Sequence, residues 1–528
     1  MAGEGEIQFP EPIIQLIQSF LDGKEAAQTT IVSKSWHSAW LTRPNLDFDY
    51  SHFKGSHNQN DDFRMCVNKT IKRYKQSNLK IESFKLCMDI YDRTHELAKE
   101  LIVKALEIGT TRLCLRLKMD KWFYIPNEVF GADNLVELSV SGCTIDLDDG
   151  VVIKCRSLES LCLDDVCGIT MDVVSNIVSS CPSIEKLTLL PNIYQEYVDV
   201  SDDEYEGVEE RGLTVLDAVG VVDNLIPRLR CLVLGYVSFK DLYLGDLLSR
   251  FTFLKDFTLH IHRDSADTIF EEEIQISNCS LERVKLVLER FQTYDEGRKP
   301  RVKFDVPSVR KFTFESDVIP CLSFISTPPS REWESHVSIQ CPQRGFSAFW
   351  FNELSELLTQ LSQSKTHLNV YANLETFVYK VGDKIIQGLC KHELENLTID
   401  MTGQPSLSCY AFFDGLFRLC LPKLITQSRY GKCYKNYCYN NENYKKITNI
   451  DFLCQTLAEG INFKVSSPTQ FMYGLNDLEE VNAQAFDTSD VPAEWKPIPL
   501  ESLLDADTPY KYEQEQTRTR FLLKWKPN

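Results

Sequence analysis

The chain has 528 residues, with 57 Lys and Arg against 76 Asp and Glu, a net charge of −19. That balance disfavours a binder of nucleic acid or of anionic membranes, and 43% apolar with 25% charged residues excludes disorder throughout. No stretch approaches the ~18 uninterrupted apolar residues of a spanning helix, and the opening residues Met1 to Glu6 are acidic where a secretory signal is basic and then apolar, so a soluble intracellular protein, cytoplasmic or nuclear, is expected.

In chain order, residues 9 to 41 come first and read FPEPIIQLIQSFLDGKEAAQTTIVSKSWHSAWL. Pro12 suits a first helical turn, Ile13, Ile14, Ile17, Phe20 and Leu21 recur at helical spacing, and Asp22-Gly23 closes that helix. Two short helices follow, near Lys24 to Val32 and Ser33 to Leu41, the second carrying Trp36 and Trp40 one turn apart. A module of about 40 residues buries too small a share of its surface to cover so many large side chains, so a partner must cover some of them. Residues 46–80 read as a linker and connecting helix. Asp92 or Thr94 then opens a helix with Leu97, Leu101, Ala105 and Ile108 on one face and Gly109 as its stop.

A frame L-x-x-L-x-L, with any large apolar residue allowed, follows at Leu135/Leu138/Val140, Leu158/Leu161/Leu163, Ile184/Leu187/Leu189, Leu229/Leu232/Leu234, Leu254/Phe257/Leu259, Leu281/Val284/Leu286 and Val309/Phe312/Phe314. Weaker copies stand at Ile81/Phe84/Leu86, Leu113/Leu115, Leu374/Phe377/Tyr379 and Leu394/Leu397/Ile399. First positions of the strong copies lie 23 to 28 residues apart, except for the step from Ile184 to Leu229, nearly two periods. That step holds an acidic run from Glu196 to Glu210, read as a solvated loop inserted over 195–212. The last two apolar positions of each frame are two apart, which places one short strand in each unit. One intervening helix is legible, from Thr170 or Asp172 through Val173, Val174, Ile177 and Val178 to a stop before Cys181-Pro182. From about Pro405 the register fades into a cap and acidic tail over 426–528, in which Phe521, Leu523 and Trp525 alternate like a last short strand.

The strand and helix alternation resembles leucine-rich repeats of the longer cytosolic type, which implies a curved solenoid with parallel strands inside and helices outside. The N-terminal order, an apolar residue, Pro10, Glu11, Ile13-Ile14, Ile17, Ser19-Phe20-Leu21, then Lys24-Glu25-Ala26 and Thr30-Ile31-Val32-Ser33-Lys34 before Trp36, resembles an F-box. Together they resemble the plant F-box/LRR-repeat group. The implied fold is α/β: a three-helix F-box over 1–45, then a solenoid over 81–425. The implied role is a non-catalytic adaptor of a Skp1-cullin-F-box ubiquitin ligase that holds an unknown protein substrate. The Skp1-binding set carried over is Phe9, Pro10, Ile13, Ile14, Ile17 and Leu21, with Val32, Ser33, Trp36 and Trp40 supporting or extending it. Ser35 departs from the basic residue often found before the first Trp, and Phe9 stands where Leu is usual.

No nucleotide-binding loop, nucleophile elbow or H-E-x-x-H signature is present, so no catalytic residue, cofactor or resident metal is expected. His260 and His262 share a strand face without further ligands nearby in sequence, and Cys433 and Cys438 lie in a polar, Tyr-rich segment at poor spacing for zinc. The 18 cysteines show no C-x-x-C pair, which with the expected compartment disfavours a disulfide framework; Cys87, Cys114 and Cys162, inside apolar runs, read as small hydrophobes. Residues alternating with the frame line the face expected to bind substrate: Asp164, Lys186, Asp256, His260, Arg283, Lys285, Lys311, Glu315 and Asp400. Other readings of the same pattern are a repeat scaffold or inhibitor without ubiquitin transfer, and a small-molecule co-receptor.

Overall fold

The computed structural model describes residues 9–56, 58–91, 93–119, 123–147, 151–167, 169, 171–191, 228–235, 244–262, 273–289, 300–326, 333–341, 348–373, 390–402, 407–427, 453, 457, 473–487, 494–500 and 517–526. The acidic run 195–212, the segment of Cys433 and Cys438, the frame copy Leu374/Phe377/Tyr379 and the capping candidates Asp92 and Thr170 lie outside them. No described helix is long and apolar enough to cross a membrane. The chain divides into two compact units, Met1–Tyr243 with Arg250–Lys255, and Leu244–Ser249 with Asp256–Asn528.

In the first unit, helices α1 (Glu11–Ser19), α2 (Gly23–Gln28) and α3 (Lys34–Thr42) precede strand β1 (Asn45–Asp49) and helix α4 (Gln59–Gln76). Then come β2 (Ser83–Ile90), α5 (His95–Glu107), β3 (Arg112–Met119), β4 (Glu137–Thr144), β5 (Ser160–Cys167), α6 (Met171–Ser180), β6 (Lys186–Pro191) and β7 (Cys231–Gly235). The seven strands pair in parallel in chain order. Their register aligns the middle position of the apolar frame, so that Leu46, Phe84, Leu113, Leu138, Leu161, Leu187 and Leu232 form one row, every member buried. The pairing begins at β1, inside the segment expected to be linker. Helix α5 stops at Gly109, whose φ of +80° needs a residue without Cβ, and α6 ends before Cys181-Pro182 as the sequence implies.

In the second unit, the elements are α7 (Leu244–Ser249), β8 (Asp256–His262), β9 (Glu273–Ser277), β10 (Arg283–Glu289), β11 (Arg301–Asp305), β12 (Lys311–Ser316), β13 (Cys321–Ser326), β14 (Glu334–Gln340), α8 (Ala348–Gln360) and β15 (Lys365–Asn373). They continue as β16 (His392–Leu394), β17 (Asn396–Thr402), α9 (Leu407–Leu419), β18 (Cys420–Pro422), β19 (Leu424–Gln427), β20 (Leu478–Asp487), β21 (Lys496–Ile498) and β22 (Thr517–Trp525). The main parallel ladder runs β8-β10-β12-β14-β15-β17-β19. Each unit's parallel strands are thus compatible with a leucine-rich-repeat solenoid.

Two features depart from expectation. Between β8 and β14 the intervening segments form strands, and β9, β11 and β13 pair into a second parallel sheet, where helices were expected to cover the ladder. Phe304 of β11 meets Phe312 of β12 at 5.2 Å and Phe324 of β13 at 5.0 Å, and Phe324 meets Trp333 at 5.7 Å; aromatic packing between sheets does the work assigned to helices. The other departure is at β14 and β15, absent from the frame count. At the middle frame position they carry Ser335 and Thr366, which lie next to Phe312 in the row. Both hydroxyls are buried and satisfied: Ser335 Oγ lies 2.6 Å from Ser364 Oγ and 3.1 Å from Thr366 Oγ1. A closed hydroxyl group of this kind substitutes for an apolar pair without leaving a buried polar atom unmet.

At the far end of the second unit, β22 pairs antiparallel with β19 and with β20, which also pairs with β21. Trp525 Nε1 donates to the Pro422 carbonyl at 2.8 Å. The alternation at Phe521, Leu523 and Trp525 thus belongs to a nine-residue strand that covers the edge of the ladder.

Gly23 was expected to close the first helix; instead it opens α2, which a capping box holds, with Glu25 N–H donating to Asp22 Oδ1 at 2.7 Å and Asp22 N–H to Glu25 Oε2 at 3.2 Å. A Cβ at Gly23 would lie 2.2 Å from the carbonyl oxygen of Asp47 in β1. Gly23→Ala must therefore push the helices away from the sheet, and should cost about 1–3 kcal/mol in urea denaturation; a change under ~0.5 kcal/mol would show that this contact does not hold the two together.

Candidate functional site

The N-terminal helices pack on a small interior. Ile14 of α1, Ala26 of α2 and Ala39 of α3 are fully buried, and Gln18 lies among them with its amide donating to Thr29 Oγ1 at 2.9 Å and to the Trp36 carbonyl at 3.2 Å. Ser33 caps α3, accepting from Trp36 N–H at 3.4 Å. Trp40 is half-buried, with Arg43 and Arg73 over its ring at 5.9 and 5.4 Å, which ties α3 to α4. Tyr74 of α4 adds to that link by donating to the Arg43 carbonyl at 2.6 Å.

This interior sorts the residues carried over from the F-box resemblance. Phe9, Pro10, Ile13, Ile17 and Val32 are exposed. Leu21, Trp36 and Trp40 are half-buried. Ile14, by contrast, is wholly enclosed and packs α1 onto the interior of the three helices. Ser33 is exposed and acts as a helix cap.

The outward apolar face is larger than the motif implies. Ile13, Leu16 and Ile17 of α1 and Phe20, which caps its C-terminal end, follow one another at helical spacing, all exposed, Phe20 at 80%. Ile31 at 89% and Val32 at 64%, beyond α2, are exposed as well. With Phe9, seven of the twelve large exposed apolar side chains among the described residues fall between positions 9 and 32. Monomeric surfaces rarely gather apolar groups so densely without a partner. Leu16, Phe20 and Ile31 lay outside the predicted set, although the i, i+3, i+4, i+7 pattern of α1 was sufficient to find Leu16 and Phe20.

On the ladders, the predicted face residues lie on the half-exposed side of their strands. In the first unit Asp164 of β5 and Lys186 of β6 are both exposed, and Cys87, Cys114 and Cys162 share the half-exposed face instead of the core. Burial pushes the Cys87 and Cys162 thiols up, away from nucleophilic use. In the second unit the charges neutralise one another: Arg283 pairs with Asp256 across β10 and β8, and Lys285 with Glu315 across β10 and β12 at 2.9 Å. His260 sits in this group, and burial, assisted by Lys285 and opposed by Glu315, pushes its pKa down to about 4. Lys311 lies exposed on β12, and Asp400 on β17 stands in register with Tyr371 of β15. The side chain of His262 lies outside the described set.

Sequence reasoning missed one constellation on this face. Glu334 and His336 of β14 and His367 of β15 bring a carboxylate oxygen and two ring nitrogens within 4.8 Å of one another. The two imidazoles stack at 4.6 Å with 7° between their planes. Burial, then His367 and Lys311, lower the His336 pKa against the opposing pull of Glu334. The signal was present: His336 and His367 occupy equivalent positions 31 residues apart, but the frame does not register there because Ser335 and Thr366 replace apolar residues.

No family model matches the chain. Three curated proteins of Arabidopsis thaliana that carry the name F-box/LRR-repeat protein do. One is 33% identical over 162 residues, covering 29% of this chain and 30% of its own length. A second is 29% identical over 165 residues, 29% and 31%. A third is 31% identical over 156 residues, 28% and 40%. The chain resembles F-box/LRR-repeat proteins. The matched segments span about a third of the length of these F-box/LRR-repeat relatives, and the repeat part of that name agrees with the parallel strands of both units.

The His260 environment makes stability depend on pH. Its folded pKa of about 4 lies below the ~6.5 of an unfolded histidine, so between those values the unfolded chain binds a proton that the folded chain does not. Stability should fall as pH drops from about 6.5 to 4, by up to ~3 kcal/mol, and His260→Gln should flatten that slope in chemical denaturation; an unchanged slope would place the acid sensitivity elsewhere.

Proposed function

We propose that this chain is the substrate-recognition adaptor of a Skp1-cullin-F-box ubiquitin ligase, with α1 to α3 as its F-box. The observation that carries this reading is the exposed apolar face of Phe9, Ile13, Leu16, Ile17, Phe20, Ile31 and Val32 on helices whose own interior is already filled by Ile14, Ala26 and Ala39. A Skp1-type subunit would cover that face, and a cullin would join through it. The polar sides of the strand ladders, with Asp164 and Lys186 in one unit and Asp256, His260, Arg283, Lys285, Lys311, Glu315 and Asp400 in the other, would meet the protein substrate.

The resemblance to F-box/LRR-repeat proteins supports this role, and in it the chain supplies no reacting group. Holding a substrate lysine near an activated ubiquitin raises its effective concentration, and rate follows from proximity. Because the basic residues Arg283 and Lys285 are already paired, discrimination at that place would come from the arrangement of paired charges and not from net charge. The fourteen free cysteines among the described residues are consistent with a reducing compartment, cytoplasm or nucleus.

Co-purification with a Skp1-type subunit and a cullin tests the reading. Ile13 and Ile17 are 42% and 36% exposed, so their double replacement by Ala should remove about 1–2 kcal/mol of contact and weaken Skp1 capture by about 5- to 30-fold while the fold persists. Ile14→Ala should instead lower stability by ~2–5 kcal/mol, because it leaves a cavity. Full Skp1 capture by the surface variant, or a captured partner set lacking cullin, would sink the adaptor reading.

A further inference from the structure

We propose that Glu334, His336 and His367 form a binding site for a divalent transition-metal ion of the zinc type, a site that the adaptor reading neither needs nor supplies. Three donors of the right kind converge, two imidazole nitrogens and one carboxylate oxygen, all within 4.8 Å of one another. Tetrahedral zinc with Zn–N near 2.0–2.1 Å sets neighbouring ligand atoms about 3.3 Å apart, so modest side-chain rotation closes the set. Imidazole and carboxylate donors together suit zinc and its neighbours and give magnesium or calcium, which prefer oxygen, no advantage.

The backbone fixes the donors without a loop. The register of β14 and β15 sets His336 opposite His367, and Glu334 precedes His336 by two residues on the same strand, so all three project from one side of the sheet. The buried Ser335 and Thr366 hydroxyls, joined by the half-buried Ser364, link the two strands on the opposite side. His336 Nε2 is buried and lacks a hydrogen-bond partner, lying 3.5 Å from a carboxylate oxygen of Glu334. A shielded, unmet ligand atom beside a carboxylate is an arrangement that a cation resolves.

Three protein ligands leave a fourth position open, to be filled by water or by a donor from a bound protein. Glu334 is half-exposed at the rim, so the open position faces outward along the polar side of the ladder. Lys311 stands in register with Glu334 on the adjoining strand, and its charge opposes a cation there.

Zn2+ titration of the whole chain by calorimetry, compared across variants, tests the site. Any zinc held by the cysteines is common to all variants, so the difference between variants reads this site. His367→Gln and Glu334→Gln should each lose one equivalent of bound Zn2+ or weaken it at least tenfold, with an unchanged thermal midpoint in the absence of metal. Lys311→Met should strengthen binding. Zinc stoichiometry and affinity equal to the parent chain in both ligand variants would overturn the site, as would weaker binding in Lys311→Met. None of these results bears on Skp1 capture, so this inference and the adaptor reading stand or fall separately.

Discussion

Matched register between neighbouring parallel strands is the constraint on which the rest depends. Because β2 through β7 place Phe84, Leu113, Leu138, Leu161, Leu187 and Leu232 in one row, each strand buries the same side as its neighbour. Shifting one strand by a single residue would turn its apolar set outward and expose it to water. The same constraint frees the opposite side, where residues at odd positions have only to remain soluble. Polar and titratable groups accumulate there, and equivalent positions of successive strands stand side by side. His336 beside His367, and Arg283 beside Asp256, are products of that arithmetic.

The two ends of the chain answer different demands. At the N-terminal end the helices fill a small interior with Ile14, Ala26 and Ala39 and still present more large exposed apolar groups than a monomeric surface usually gathers. At the other end of the second unit, β22 turns antiparallel and covers the ladder, a surface built to be finished. Within each ladder the inner strands need neither device, since β2 to β6 in the first unit and β10, β12, β14, β15 and β17 in the second each have a neighbour on both sides.

Much of the ladder was legible because large apolar residues recur where strands must bury a side, and ten of the described strands stand at copies of the frame. What escaped did so for physical reasons. β14 and β15 satisfy a buried position with Ser335 and Thr366, a hydrogen-bonded group that no apolar pattern counts. The strands β9, β11 and β13 are short, and the sequence offers no period that separates them from a loop. On α1, hydropathy alone does not distinguish the buried Ile14 from the exposed Ile13 beside it; that difference comes from which side of the helix α3 occupies. The face residues Asp256, Arg283, Lys285 and Glu315 were placed on the right side by alternation, but their pairing depends on reach across strands.

The antiparallel closure has a consequence for synthesis. β19 is made about ninety residues before the strand that covers it, and Trp525 reaches back 103 residues to Pro422. At ~5–20 residues per second, the edge of the ladder stays bare for roughly 5–20 s on the ribosome, with Ile425 and its neighbours offering unpaired backbone groups to any strand nearby. A nascent chain of this design therefore passes through an interval in which it needs a chaperone more than its finished fold would suggest.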